Sequence, residues 1–283
     1  MALFEIVPNF SEGRDQTFFE AVEAVVATTG ATLLDRSADH AHHRSVFTIA
    51  GGGDEVVAAG VALAGLAAER IDLRAHAGLH PRIGALDVLP FVPLGNATLA
   101  EAAALAHRAG AEIWDLYRVP SFYYGAAARH ERRRLLPGVR RGEFEGLAVR
   151  FADPAWAPDE GDIARHESAG AIAIGARNLL IAFNVELASG DLTAARAIAR
   201  ALRERDGGLR TLRVLAFSLG DERVQISVNV TDAEATPLYR VFELIGFLAN
   251  ERGIEVAGGE LVGCIPRAAV ETTAAYLLGV TEL

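Results

Sequence analysis

Lysine is absent. All 27 basic residues are arginine, which excludes a lysine Schiff base, a lysine nucleophile, a P-loop lysine and pyridoxal-phosphate chemistry through an internal aldimine. Cysteine is nearly absent. A lone Cys264 rules out a disulfide framework and any multi-thiolate zinc or iron–sulfur site within one chain. Its apolar setting, Leu261-Val262-Gly263-Cys264-Ile265-Pro266, points to a core position rather than a nucleophile. Positive charge is in deficit: 37 acidic against 27 basic residues give a net charge of −10, which argues against a nucleic-acid or anionic-membrane binder. Long hydrophobic runs are missing too. Val56–Ala68 comes closest, and Glu69-Arg70 ends it before it could span a bilayer. The start of the chain has no basic segment, and Glu5 and Pro8 interrupt its apolar run, so a cytoplasmic location is expected.

What remains is an ordinary globular composition, 51% hydrophobic and 23% charged over 283 residues. At roughly 150 residues per domain this length suggests about two domains. The apolar periodicity predicts strands at Leu3–Pro8, Ala31–Asp35, Ser45–Ala50, Leu86–Val92 and Ser121–Tyr124, with helices at Gln16–Thr28, Asp54–Arg70 and Leu99–Leu116. Asn9–Gly13 reads as a turn, Ala75–Pro81 as a loop, and Phe151–Gly170 as a long irregular connection ordered by contacts. A second set follows: strands Asn178–Glu186, Leu212–Leu219, Arg223–Val230 and Ile254–Val262, with helices Leu192–Arg205, Thr236–Arg252 and Arg267–Leu278. Gly220-Asp221-Glu222 is the hairpin turn between its middle strands. Both sets run β-α-β-β-α-β, the ferredoxin-like order. The fold class is therefore α+β, with two ferredoxin-like subdomains, 1–174 and 175–283, each a sheet flanked by helices. A cleft between two such halves is a default ligand site.

Two polar clusters stand out. His76-Ala77-Gly78-Leu79-His80-Pro81-Arg82-Ile83-Gly84-Ala85-Leu86-Asp87 lies on a loop leading into a buried strand. A histidine there beside an arginine suits proton transfer near an anionic substrate, and equally suits capping of the loop. Asp39-His40-Ala41-His42-His43-Arg44 places three histidines in four positions, but neighbours in extended chain face opposite ways, which opposes a metal reading. His76 and His80 have helical metal spacing, which Gly78 and Pro81 deny. Asn9, Glu12 and Arg14 can bind a ligand or brace the following helix. Gly51-Gly52-Gly53 reads as a tight turn with Asp54 capping the next helix. Arg132-Arg133-Arg134 and Arg140-Arg141 read as solvated faces.

These stretches carry a resemblance. Val7-Pro8-Asn9-Phe10-Ser11-Glu12-Gly13-Arg14, the His76–Val88 block and Gly175-Ala176-Arg177-x-Leu179-Leu180-Ile181-Ala182-Phe183-Asn184 resemble the glutamate formimidoyltransferase family. That family corresponds to the formiminotransferase domain of formimidoyltransferase-cyclodeaminase, and the likeness does not extend to a cyclodeaminase domain. Val119-Pro120-x-x-x-Tyr124-Gly125, Arg141-Gly142-Glu143-x-Glu145, Trp156-Ala157-Pro158-Asp159, Gln225-x-Ser227-x-Asn229 and Leu261-Val262-Gly263 fit in order. The resemblance implies transfer of the formimino group of N-formimino-L-glutamate to tetrahydrofolate in histidine breakdown, a homodimer, and no metal. Tetrahydrofolate is then a co-substrate. It also implies that His80 is the proton carrier, that Asn9, Glu12, Arg14, Asp39, Arg44 and Arg82 bind substrate, and that folate contacts Gly161-Asp162-Ile163-Ala164-Arg165-His166-Glu167-Ser168-Ala169-Gly170. Departures from the family are Asp159-Glu160-Gly161-Asp162 for Asp-Phe-Gly-Pro, Ala126 for Glu, and His43 for Asn. The alternatives are a metal-dependent hydrolase of a small amide or amidine, and a noncatalytic folate- or anion-binding homologue.

Overall fold

The computed structural model describes residues 2–40, 42–78, 80–220 and 222–280. The chain forms two compact units, Met1–Asn178 and Leu179–Leu283.

In the first unit the elements run β1 (Leu3–Ile6), β2 (Asn9–Phe10), α1 (Gln16–Ala27), β3 (Thr32–Asp39), β4 (Arg44–Gly52), α2 (Gly53–Arg70), β5 (Leu86–Leu94), α3 (Leu99–Tyr117) and β6 (Ser121–Gly125). Two short helices, α4 (Leu136–Val139) and α5 (Glu143–Phe151), and strand β7 (Ile172–Ala176) complete it. Antiparallel β1 and β2 both sit between β4 and β5, and β3 pairs with the outer side of β4. Strand β7 adds to β5 in parallel and β6 adds to β7. The order β3-β4-β1/β2-β5 is the split βαβ arrangement expected from the element order, extended by two parallel strands.

Asn9-Phe10 is a strand rather than the expected turn. Phe10 is buried in edge-to-face contact with Phe18 of α1 and Phe47 of β4, at centroid separations of 5.2 and 5.7 Å. Such pairs contribute about 0.5–1.5 kcal/mol beyond burial, and they pin Asn9 at the sheet. The first helix is capped by Asp15, whose side chain accepts the Thr17 N–H, a contact worth ~1 kcal/mol. At α2 the expected Asp54 cap is not used. Gly52 is the N-cap and donates its N–H to Glu55 Oε2 at 2.7 Å, while Asp54 pairs with Arg108. The glutamate one position later reaches back, as in a capping box.

The arginine runs are not uniformly solvated. Arg133 is 1% exposed and pairs with buried Asp159 at 2.6 Å, and Arg140 reaches Asp87. Arg132, Arg134 and Arg141 are exposed. In short helical turns consecutive side chains point in different directions, so a charge run splits between core and solvent.

The second unit runs β8 (Ile181–Leu187), α6 (Leu192–Leu202), β9 (Leu212–Gly220), β10 (Arg223–Val230), α7 (Leu238–Asn250), β11 (Val256–Val262) and α8 (Arg267–Leu278). Its antiparallel sheet has the order β11-β8-β10-β9, again the split βαβ order. Asp221, expected in the β9–β10 turn, lies outside the described residues. Alternate residues Val224, Ile226, Val228 and Val230 pack with Ile198, Leu202, Val241 and Ile245 of the helices. Cys264 is exposed, not buried. It follows the edge strand β11, where its neighbour Leu261 is also exposed, so apolar neighbours in sequence did not bring a core with them.

Candidate active site

Four segments of the first unit converge: 9–15, 39–44, 76–87 and 140–145. The sheet register starts the convergence, because Asn9 lies opposite Val46 of β4 and Val88 of β5. Strand β3 closes on β4 with Asp39 opposite Arg44, which places the histidine cluster at the hairpin end.

The centre is Asp87, whose side chain is fully buried. Its Oδ1 accepts the Ile83 N–H at 2.8 Å, and its Oδ2 accepts from Arg44 Nη1 at 2.8 Å and Arg140 Nη2 at 2.5 Å. Burial alone would raise the Asp87 carboxyl, but Arg140, Arg44 and the Ile83 N–H hold it at about 2. Arg44, 8% exposed, is lowered to about 10 by burial and by Arg140, against the opposing pull of Asp87. Arg44 also donates to Asn9 Oδ1 from Nη2 at 2.8 Å and Nε at 3.2 Å. Two guanidiniums against one carboxylate leave one positive charge in excess. The Arg140 Nε is buried and makes no hydrogen bond among the described residues. Arg140 and Asp87 were not among the substrate-binding residues drawn from the sequence. No local signal marks Arg140, because its partner lies 53 positions away.

His80 lies beside this group. Its Nδ1–H donates to the Pro81 carbonyl at 2.8 Å, which leaves Nε2 with the lone pair of the neutral ring. Burial, with Arg44 and Arg140, pushes its pKa down to about 3. His80 is therefore a neutral acceptor at pH 7.

The other histidines divide by role. His76 Nδ1 accepts from Arg82 Nε at 3.1 Å, so its Nε2–H is the donor to the His43 carbonyl at 3.2 Å. His43 accepts the Gly13 N–H on Nδ1 at 3.1 Å and packs its ring 4.4 Å from that of His76. Both rings are held below the ordinary histidine range, first of all by burial. His43 sits at φ 50°, a left-handed conformation in which His and Asn are both enriched. His42 Nδ1 bonds Asp39 Oδ2 at 2.8 Å, and its backbone N–H donates to Asp39 Oδ1 at 2.8 Å.

Gly78 lets these loops meet. A Cβ there would lie 2.5 Å from the His42 carbonyl and 2.9 Å from His43 Cβ. The two histidine clusters, separate in sequence, form one site because the 76–80 loop lies directly on the 42–43 backbone.

The remaining candidates are placed as follows. Arg82 is buried and satisfied, with Nη2 and Nη1 on Glu145 at 2.8 and 3.0 Å and Nη1 on Glu143 at 3.2 Å. Glu12 Oε1 accepts the Arg14 and Asp15 N–H groups at 2.7 and 3.0 Å and braces the turn into α1. Arg14 is exposed and donates to the His40 carbonyl at 3.0 Å. The 161–170 stretch is laced to the His80 loop: Leu73 N–H donates to Ser168 O and Ala85 N–H to Ala169 O, both at 2.9 Å. Arg165 donates to Phe144 O at 2.7 Å and lies over the Phe144 ring. Ile163 is 63% exposed. Among the described residues no group of three His, Cys, Asp or Glu side chains converges as a metal ion would need, and no helix is long and apolar enough to cross a membrane.

Comparison with known proteins bears on this geometry. Residues 3–177 match the family model for the formiminotransferase domain, N-terminal subdomain, and residues 182–283 match that for the formiminotransferase domain. The chain is 38% identical over 282 residues to glutamate formimidoyltransferase of Streptococcus pyogenes, covering 99% of this chain and 94% of that protein. It is 39% identical over 282 residues to the protein of the same name from Thermoplasma acidophilum, covering 98% and 93%. Identity to formimidoyltransferase-cyclodeaminase of Gallus gallus is also 39%, over 98% of this chain but 52% of that protein.

Proposed function

The chain belongs to the formiminotransferase domain family, and we propose on that footing that it transfers the formimino group of N-formimino-L-glutamate to tetrahydrofolate. The products are 5-formiminotetrahydrofolate and L-glutamate. Full-length similarity to proteins named glutamate formimidoyltransferase supports the reaction, and the setting of His80 supports the chemistry. The folate nitrogen attacks the amidine carbon and must lose a proton, and the departing glutamate nitrogen must gain one. A neutral imidazole with an open Nε2 can take the first proton.

The positive excess at Arg44 and Arg140 serves a second purpose. Burial is the main cause of the His80 depression, and a substrate carboxylate seated there offsets the part that Arg44 and Arg140 add to it, moving the His80 pKa up from its resting value. Arginine suits this task because its planar guanidinium bonds carboxylate in a fixed geometry. Asn9 orients Arg44, and Arg82 acts with His76 and Glu145 to hold the loop that carries His80. Folate lies along residues 161–170, whose backbone bonds to the 73–85 segment keep it beside that loop. The protein works in the cytoplasm as a homodimer, with tetrahydrofolate as co-substrate and no metal.

The test is product formation from formiminoglutamate and tetrahydrofolate in the presence of excess chelator. Turnover unaffected by chelator is expected. Folate binding without turnover would overturn the reading.

A further inference from the structure

The arginines of the site differ in how much of each guanidinium is already taken. Arg44 commits all three nitrogens, Nη1 to Asp87 and both Nη2 and Nε to Asn9. Arg82 does the same, with Nε on His76, Nη1 on Glu143 and Glu145, and Nη2 on Glu145. Arg140 does not. Only its Nη2 is engaged among the described residues, on Asp87 Oδ2 at 2.5 Å, while its Nε is buried and unbonded. Its side chain is also the more exposed of the two on Asp87, 15% against 9% for Arg44. A guanidinium carries five N–H donors in a planar fork, so Arg140 has donors left at Nη1 for an incoming acceptor. Its position is fixed from behind. It follows α4, whose Val139 is buried, and Arg150 Nη1 donates to the carbonyls on either side of it, Val139 at 2.5 Å and Arg141 at 2.9 Å. Arg150 in turn lies over the Trp156 ring at 4.2 Å. The Phe144 N–H donates to the Arg82 carbonyl at 2.9 Å, which ties this segment to the loop that carries His80.

We propose that Arg140, rather than Arg44 or Arg82, binds the α-carboxylate of the formimino donor and so sets which donors the site accepts. The inference rests on the formimino-transfer reading above. Arg44 and Arg82 are spent on the protein itself: Arg44 with Asn9 fixes Asp87, and Asp87 aims Arg140. The choice of carboxylate follows from the chemistry of the donor. Arg140 is near enough to His80 for its charge to be felt there, so an anion held by Arg140 lies beside the proton carrier. In formiminoglutamate the α-carboxylate hangs on the carbon next to the reacting amidine, whereas the side-chain carboxylate lies two methylenes further out. Seating the α-carboxylate on Arg140 therefore brings the amidine to His80. A planar fork also fixes the direction of a carboxylate as well as its distance, which a point charge does not.

The test measures kcat/KM for three donors in wild type, Arg140→Gln and Arg140→Lys, with folding checked by circular dichroism. The donors are formiminoglutamate, formiminoglycine, which keeps the α-carboxylate and lacks the side chain, and 4-formimidoylaminobutyrate, which keeps the side-chain carboxylate and lacks the other. An analogue that is not turned over is read by its inhibition constant against formiminoglutamate. We expect Arg140→Gln to weaken formiminoglutamate and formiminoglycine by about 10²-fold, as for loss of a charge-assisted hydrogen bond. The butyrate donor and the KM for tetrahydrofolate should stay within about threefold of wild type. Arg140→Lys, which keeps the charge without the fork, should fall between, and it decides the matter if Arg140→Gln does not fold. An equal loss for all three donors would mean that Arg140 acts only through the fold and would overturn the inference. A loss that spares formiminoglycine, or one confined to tetrahydrofolate, would place another carboxylate there and overturn it equally. Each of these results leaves formimino transfer standing, whereas a folded wild-type protein that turns over no formiminoglutamate would remove both.

Discussion

The two units share one strand order and differ in what they bury. In the second, the buried side chains are aliphatic apart from Thr236. In the first, Glu5, Arg44, Arg82, Asp87 and Arg133 are buried alongside the apolar core. All eight histidines belong to the first unit as well. Burying a charge is costly unless it is paired and hydrogen-bonded, and here the buried arginines Arg44, Arg82 and Arg133 each have a carboxylate within bonding distance. A common scaffold thus carries an ordinary core in one copy and a charged site in the other. The chemistry lives in the loops between strands rather than in the fold.

The largest effect on that contrast should come from Asp87→Ala. It leaves buried Arg44 and half-buried Arg140 without their carboxylate and frees the Ile83 N–H. A loss of about 3–5 kcal/mol is expected for a broken buried pair, read from urea unfolding of the first unit. Ile226→Val in the second unit should cost only about 0.5–1.5 kcal/mol. Equal losses would mean that the buried charges are not what distinguishes the units.

Gly78→Ala ranks next. Its Cβ would fall 2.5 Å from the His42 carbonyl, and relief requires the two histidine loops to part. A stability loss of ~1–3 kcal/mol is expected from such overpacking, together with a fall in kcat. Unchanged kcat would show that the loops need not touch.

Acid should affect the units unequally. His80, His76 and His43 are all lowered in the folded state, so the unfolded chain binds these protons more readily. Their contribution is complete above the ordinary histidine value of about 6.5 and is lost as pH falls from there towards about 3 for His80. Thermal unfolding across that window should show the first unit weakening faster with falling pH in wild type than in His80→Ala. Parallel curves for the two proteins would place the His80 proton elsewhere.

The smallest change is Tyr276→Phe in the second unit. The hydroxyl meets Glu243 at 2.8 Å at the surface, and the ring stacks on Tyr239 at 3.9 Å. Removing the hydroxyl should leave the thermal unfolding midpoint and kcat unchanged within error, since surface substitutions away from buried features rarely matter.

Much of this contrast was legible in the sequence. Long amphipathic elements such as α1, α2, α3 and β10 read directly from their periodicity, and α8 fell within the expected bounds. Strand β7 did not. Its Ile172-Ala173-Ile174-Gly175-Ala176 run is short, contains glycine, and becomes a strand through parallel pairing with β5 and β6. The residue blocks of the site were visible one by one, but their convergence was not. His43 and His76 meet across 33 positions, and Arg133 finds Asp159 across 26. Nothing local to Arg133 separates it from the exposed Arg132 and Arg134. Cys264 erred the other way, since apolar neighbours mark a core position only where the strand is covered on both sides.

The central claim is that the neutral imidazole of His80 carries the proton in the charged unit. The most direct measurement is kcat for formimino transfer by His80→Ala beside its affinity for tetrahydrofolate. The account predicts a fall of about 10²–10⁴-fold in kcat, with folate affinity and folding close to wild type. A folded His80→Ala protein that keeps near wild-type kcat, with chemistry rate-limiting, would contradict it.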